Sequence, residues 1–468
     1  MKKYFLLGFA CLVSGCSVMP QYAKPEVQVP TSWSPEYPWR AGKPSDDAAK
    51  GAWWKLFHDA PLDQLIETSL AQNPDIAIAT ARLLQAQSLT KVERAALLPE
   101  ANLTGAASRS HPSDNRPTTG PAKPLSITQN DFSLALSVRY EADIAGRVHA
   151  TVSKAEATEQ QALADLENTR LLMTAELAAD YFALRELDEE LDVVRQNIAL
   201  QQKSLEFVAA RHELGAATGL DLAQQRALLD ATITETDLLE KQRATLEHAI
   251  AALVGKPAPN FRIVPQPFNL IAPSVPVGLP SDILEHRPDV ASAERAMAAA
   301  NAEVGIAKSA FYPSVMLAPA AGFESSSLGM LFNASSFLWS LGLSATQPIF
   351  NAGRNRAALE NAQAAYTATT ENYRKTTLAA MQETQDGLSA LAILHHAEDH
   401  TLQSVSSAEK VLSLASARYQ GGIGIYLDVI TAQQAMLAKK RQLTQLRGQQ
   451  LQTSVFLIKA IGGSWQQQ

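Results

Sequence analysis

Cysteine is nearly absent. The 468 residues carry two, Cys11 and Cys16, both inside an N-terminal apolar leader. Once that leader is processed no pair of thiols remains, so the body must be held by packing alone. Aromatic residues make up only 6% of the chain, and the net charge of −7 leaves no polybasic footprint for nucleic acid. Glycine-rich phosphate loops, HExxH and CxxC patterns are missing, and no nucleophile–base pair stands out, so nothing points to an enzyme or a cofactor. His396 and His400 stand four residues apart on one helix face, but without a third ligand they read as a solvated stretch, not a metal site. Proline is missing from residues 147–215 and again from 354–421, which permits two unusually long helices.

The leader "MKKYFLLGFACLVSGC" has two lysines, an apolar run and small residues ending at Cys16. It is a secretory signal over residues 1–15, too short to span a bilayer. Val13-Ser14-Gly15-Cys16 resembles a bacterial lipobox, in which the Cys16 thiol takes a diacylglycerol; the alternative is an ordinary signal with a chance cysteine. Ser17 follows where an aspartate would suggest inner-membrane retention, so outer-membrane sorting is expected. Residues 16–61, rich in Pro, Ser and Trp, read as a lipidated extended arm, with "WWKLF" at 53–57 as its packing anchor.

The remainder is one pattern written twice. "NPDIAIATARLLQAQ" from Asn73 corresponds to "RPDVASAERAMAAAN" from Arg287, and "IAGR" from Ile144 to "NAGR" from Asn351. Pro74 and Pro288 are 214 residues apart and Gly146 and Gly353 are 207 apart, so one indel separates the copies. The first copy covers 62–256 and the second 279–463, joined by a Pro-rich linker at 257–278 and followed by a short tail at 464–468.

Each copy changes period midway. "FSLALSVRY" puts Phe132, Leu134, Leu136, Val138 and Tyr140 on one face; "FLWSLGLSA" does the same with Phe337, Trp339, Leu341 and Leu343. Such alternation marks half-apolar strands, one hairpin per copy, near 100–143 and 313–347. Four strands admit two outcomes: a soluble sheet, or a barrel shared by several chains, since membrane barrels need about eight strands and tolerate no open edge. After each hairpin the apolar residues repeat by heptads. From Leu163 to Val208, eleven of fourteen heptad sites are apolar, a coiled-coil face. Nearly seventy residues at 1.5 Å each make a rod of roughly 100 Å. Both rods end in glycine-rich turns, Gly215 and Gly219 in the first, Gly421, Gly422 and Gly424 in the second, with an arginine before (Arg211, Arg418) and an aspartate after (Asp221, Asp428).

A lipobox followed by hairpin, rod, turn and return rod, made twice, resembles the outer membrane factors. These are the TolC-like exit ducts of tripartite efflux pumps, and the NodT/OprM-like lipoprotein branch fits best. The resemblance covers the whole mature chain, and "GLPSDILEHRPDVASAERAMAAANAEVGIAKSAFYPS", "QPIFNAGR", "WWKLF" and the two tips carry it. His286 departs from the family's usual arginine and Tyr312 from its frequent phenylalanine.

The resemblance implies a fold that is mainly α with a membrane β-barrel. A homotrimer would form a twelve-strand barrel in the outer membrane and a twelve-helix barrel in the periplasm. It further implies a periplasmic adaptor and an inner-membrane pump, of RND type, as partners. The turns become periplasmic tips that gate the pore. Asp428 matches a pore-facing position, giving a single acid ring because Thr431 stands where related ducts often carry a second acid. Asp221, Arg211 and Arg418 become candidates for links between tips. The plainer alternative is that both aspartates only cap the return helices. Two other functions compete: a duct for an ATP-driven type I protein secretion system, and a non-conducting periplasmic coiled-coil scaffold tethered by lipid. Replacing Cys16→Ser removes the thiol that accepts the diacylglycerol. Mass spectrometry of the mature N-terminus should find the wild type acylated and the variant not; an unacylated wild type would end the lipoprotein reading.

Overall fold

The structure, a computed structural model, describes residues 19–24, 40–41, 52–113, 115, 127–266, 271–277 and 287–463. Cys16, His286 and the tail after residue 463 lie outside them. Eleven main elements follow one another: α1 (Ala60–Gln72), α2 (Pro74–Ala95), β1 (Glu100–Ser110), β2 (Gln129–Ala142), α3 (Arg147–Glu213), α4 (Gly219–Leu253), α5 (Pro288–Ser309), β3 (Ser314–Ser325), β4 (Phe337–Thr346), α6 (Arg354–Gln420) and α7 (Tyr426–Ala460). The duplication is visible in their lengths. Helices α2 and α5 each have 22 residues, α3 and α6 each 67, α4 and α7 each 35. The fold is mainly helical with one four-stranded sheet among the described residues, as the two periodicities predict.

The chain divides into two compact units. The first comprises Met1–Pro25, Leu83–Ala162 and Ala293–Tyr373 and holds the sheet. Its strands run in the order β1-β2-β3-β4, every neighbour antiparallel. Register carries the alternation across all four. Leu103 pairs with Leu136, Leu136 with Ala321, and Ala321 with Trp339; one row over, Leu134 pairs with Phe323 and Phe323 with Phe337. One face is therefore apolar from edge to edge. The other carries Asn102, Ser137, Ala320 and Ser340 in one row. The apolar face is uncovered within the chain: Leu103 is 69% exposed, Trp339 71%, Leu341 74%.

Two residues shape this sheet. Gly322 sits between Ala135 and Leu338, and a β-carbon there would lie 2.6 Å from the Ala135 Cα, so only glycine lets β2 and β3 approach. Pro319 has no N–H to give, and the pairing of β2 with β3 skips Val138 and Arg139 beside it. The corners into α3 and α6 turn on Gly146 (φ 72°) and Gly353 (φ 86°), the glycines of the matched "AGR" segments. At the first corner Arg147 donates from Nε and Nη2, one edge of its guanidinium, to the two carboxylate oxygens of Glu141, at 2.8 and 2.6 Å.

The second unit comprises Glu26–Arg82, Leu163–Ser292 and Arg374–Gln468. Its packing follows the heptad read from the sequence. Leu177, Leu184, Leu191, Val194 and Val208 are buried; among those fourteen sites Leu163, the first, is the exposed exception. "WWKLF" forms a 3-10 turn with Trp53 and Trp54 buried, and Phe57 packs on Phe182 with ring centroids 4.6 Å apart. Asp59 caps α1 by accepting from Leu62 N at 2.9 Å, and takes the buried Tyr181 hydroxyl at 2.9 Å.

Short helices splice end-on to return helices. Asn73 caps α2 through bonds from Asp75 and Ile76, and donates its amide to the carbonyl of Leu253, the last residue of α4. In the second copy Arg287 donates to the carbonyl of Ala460, which ends α7, while pairing with Asp289 and Glu383. The linker after α4 is anchored more firmly than its Pro-rich composition suggests. Arg185 and Arg243, bridged by Asp188, hold the carbonyls of Val264 and Ile263, and Glu247 takes the Ile263 amide.

One acid in this unit is poorly served. Glu186 packs onto Gly448, where a β-carbon would collide with its carboxylate, and among the described residues only the Gln452 amide reaches it, at 3.3 Å. The nearby Arg441 is committed to Glu190 and Glu235. Burial, reinforced by Glu190, pushes the Glu186 carboxyl up to about 7. The native state thus keeps a proton that the unfolded chain releases near 4.5, so this group costs stability as pH rises through the interval between the two. Glu186→Gln should raise the denaturation midpoint at pH 8 by about 2 °C and leave it unchanged at pH 4, measured by thermal scans in detergent.

Candidate functional site at the helical tips

The two helix reversals share one backbone. Helix α3 ends with Gly215 at φ 75°, Gly215 N donating to His212 O and Ala216 N to Arg211 O; α6 ends with Gly422 at φ 76°, Gly422 N donating to Tyr419 O and Ile423 N to Arg418 O. Both are Schellman turns, in which left-handed glycine lets the last carbonyls be satisfied. The five tip glycines are therefore not equivalent. Gly215 and Gly422 meet the conformational demand, and Gly424 meets a spatial one, since a β-carbon would press on Arg418 Cβ at 3.2 Å. Gly219 and Gly421 have no left-handed φ, and a β-carbon at either would meet only ordinary contacts, the nearest at 3.9 and 3.4 Å.

The paired aspartates occupy the same place, third residue of the return helix, yet do different things. Asp221 closes a capping box: its amide donates to Thr218 Oγ1 at 3.2 Å and its carboxylate accepts from Thr218 N at 3.0 Å. The second copy has Ile425 at the cap, which offers no side-chain oxygen. Asp428 is left exposed, with no side-chain hydrogen bond or ion pair to the described residues, next to the amide-rich helix start.

The arginines diverge as well. Arg211 lies over the Tyr419 ring, 5.0 Å from its centroid, and over Phe207 at 5.8 Å, and donates to the Tyr419 carbonyl at 3.3 Å. It joins the first tip to the second within one chain. Arg418 is exposed and meets no acid or acceptor among the described residues. Of the three candidate links, then, the chain itself brings one into contact.

Residues the sequence did not single out complete the site. Tyr419 and Tyr426 are buried with ring centroids 4.8 Å apart. The Tyr426 hydroxyl donates to Gln225 Oε1 at 2.8 Å, and Gln225 Nε2 donates to Gln201 O at 2.9 Å. Val208, Leu228, Val429 and Ile430 pack around the tyrosines. Burial raises both phenols above their ordinary value; Asp221 adds to the rise in each, Arg211 opposes it at Tyr419, and both rings stay protonated. No group of three or more His, Cys, Asp or Glu among the described residues is placed to hold a metal.

What this arrangement belongs to is settled by comparison with known proteins. The family model described as "Outer membrane efflux protein" matches residues 65–256 and 279–463. The chain is 31% identical to the toluene efflux pump outer membrane protein TtgF of Pseudomonas putida, over 99% of this chain and 98% of that one. It is 32% identical to the pyoverdine export outer membrane protein OpmQ of Pseudomonas aeruginosa, over 100% and 98%. Among solved structures, the outer-membrane channel OprN superposes with a TM-score of 0.89 at 25% identity, covering 96% of this chain and all of that one. VceC of Vibrio cholerae superposes with 0.82 at 28%, covering 88% and 99%. Efflux or export is what both sequence relatives are named for, and OprN is an outer-membrane channel. The chain belongs to the outer membrane efflux protein family, whose members are outer-membrane channels of Gram-negative bacteria.

Proposed function

We propose that this protein is the passive exit duct of a tripartite efflux pump and works as a homotrimer. The observation that carries the reading is the four-stranded sheet, apolar from edge to edge on one face, with β1 and β4 paired on one side only. In lipid each unsatisfied backbone group on such an edge costs several kcal/mol, so the edges must meet copies of themselves. Three copies close a barrel of twelve strands, with Trp339 and Leu341 toward lipid and Ser137 and Ser340 toward the lumen. The detergent-solubilised protein should sediment as a trimer; a stable folded monomer would overturn the shared barrel.

The long helices form the periplasmic conduit and the tips its gate. An adaptor protein and a proton-driven inner-membrane pump of the RND type supply the energy and most of the selection, and Cys16 carries the lipid. The names of the relatives suggest small organic cargo, such as toluene or pyoverdine, more than secreted protein. The duct does no chemistry of its own.

At the gate, Asp428 supplies one carboxylate per protomer to a ring that favours cations. Its freedom from capping supports this, and Asp221, engaged with Thr218, is left to the cap. Arg211 locks the two tips of one protomer, while Arg418, without a partner among the described residues of its own chain, is available to a neighbour. Single-channel recording separates these roles. Asp428→Ala should lower cation preference and weaken block by multivalent cations. Arg211→Ala should raise conductance by loosening the Tyr419 contact. Asp221→Ala should cost about 1 kcal/mol of cap stability and leave selectivity unchanged. Unaltered selectivity and block in Asp428→Ala would refute the ring.

A further inference from the structure

The two hairpins are duplicates, but their loops are not. The first, between Ser110 and Gln129, carries Asp114, Arg116 and Lys123. The second, residues 326–336, reads "SSLGMLFNASS" and lies in an uncharged run from residue 325 to residue 353. Leu328, Met330 and Phe332 are 64%, 54% and 68% exposed. Large apolar groups held in water at a loop tip are costly, and a contiguous set of them marks a contact surface.

The loop is built, not slack. Two short 3-10 turns, Leu328–Met330 and Ala334–Ser336, are closed by Met330 N donating to Ser327 O, Asn333 N to Met330 O and Ser336 N to Asn333 O. The Ser336 hydroxyl donates to Met330 O at 2.9 Å, and Leu331 is buried beneath. Several of the loop's own amides are therefore satisfied internally, the condition for backbone at the edge of a hydrocarbon layer.

Its direction is fixed by aromatic contacts. The Phe332 ring meets Phe323 edge-on, centroids 5.6 Å apart, and Phe323 meets Phe337 at 5.7 Å. Phe323 and Phe337 are paired residues on the apolar face, in the row next to Ala321 and Trp339. The loop thus continues the apolar face past the strand ends. A plug would instead pack on the face that carries Gly322 and Ser340.

We propose that residues 326–336 form a lipid-binding foot, with Leu328, Met330 and Phe332 seated among the acyl chains of the outer leaflet while the first loop stays in water. This rests on the barrel reading, because the foot extends the surface that reading assigns to lipid, at the end of the hairpins away from the helices. Its serines and Asn333 suit the headgroup boundary, where polar groups and apolar side chains alternate.

Phe332→Cys, Met330→Cys, Leu341→Cys and Ser113→Cys proteins would each be labelled with an environment-sensitive fluorophore and reconstituted in phosphatidylcholine vesicles. The unsubstituted protein, labelled alongside, is the blank. Quenching by nitroxides on the lipid acyl chains is compared with quenching by aqueous iodide. A foot predicts nitroxide quenching at 332 and 330 comparable with that at 341, in the middle of the apolar face, and iodide quenching alone at 113. Having two foot positions guards against one variant that fails to assemble. Quenching by lipid at 341 but only by iodide at 330 and 332 overturns the foot and spares the barrel. Iodide quenching alone at 341 overturns both.

Discussion

Backbone hydrogen bonding in a medium without water is the constraint on which the rest depends. A sheet of four strands with bare edges is a tolerable object in solution and an impossible one in hydrocarbon. This chain arranges its four strands so that Leu103, Leu136, Ala321 and Trp339 fall on one face in one row, which leaves that face in need of a cover. In the function proposed above the cover is lipid, and assembly with further copies removes the bare edges.

Duplication supplies the repeated parts, and divergence sets them apart. The two tips keep one backbone, with a left-handed glycine at the same place, yet seven of the eleven positions from Arg211 to Asp221 differ from those between Arg418 and Asp428, the cap residue among them. Thr218 ties its aspartate down; Ile425 does not. One substitution at a helix start thus turns an acid from a structural group into a free charge. The loops diverge similarly, one polar and one apolar, over hairpins of the same design.

Much of the fold could be read in advance because it is written in periods. Alternation located the strands from Phe132 and Phe337, and the heptad beginning at Leu163 located a buried face that only its first residue fails to join. The absence of proline and the return of glycine set the ends of α3 and α6. Contacts between distant residues were not legible. Nothing local says that Arg211 will lie on Tyr419, 208 residues away, or that Tyr426 will reach Gln225. Nor does composition reveal that Phe261 and Ile263, in a stretch that reads as a plain linker, are buried, or that Arg243 and Arg185 hold the carbonyls of Ile263 and Val264. Such facts depend on which faces meet, and a one-dimensional pattern leaves that open.

The splices between short and long helices carry a consequence of their own. Each joint has the same task, to satisfy the last carbonyl of one helix with the residue that precedes the next. Asn73 does it with a neutral amide. Arg287 does it with a cation steadied by Asp289 and Glu383. The first joint ties one side chain to backbone atoms, which substitution elsewhere leaves in place. The second depends on two further side chains, and losing either carboxylate leaves a buried cation with one partner fewer. A molecule assembled from two copies of one plan therefore has one seam written in a single residue and one seam spread over three.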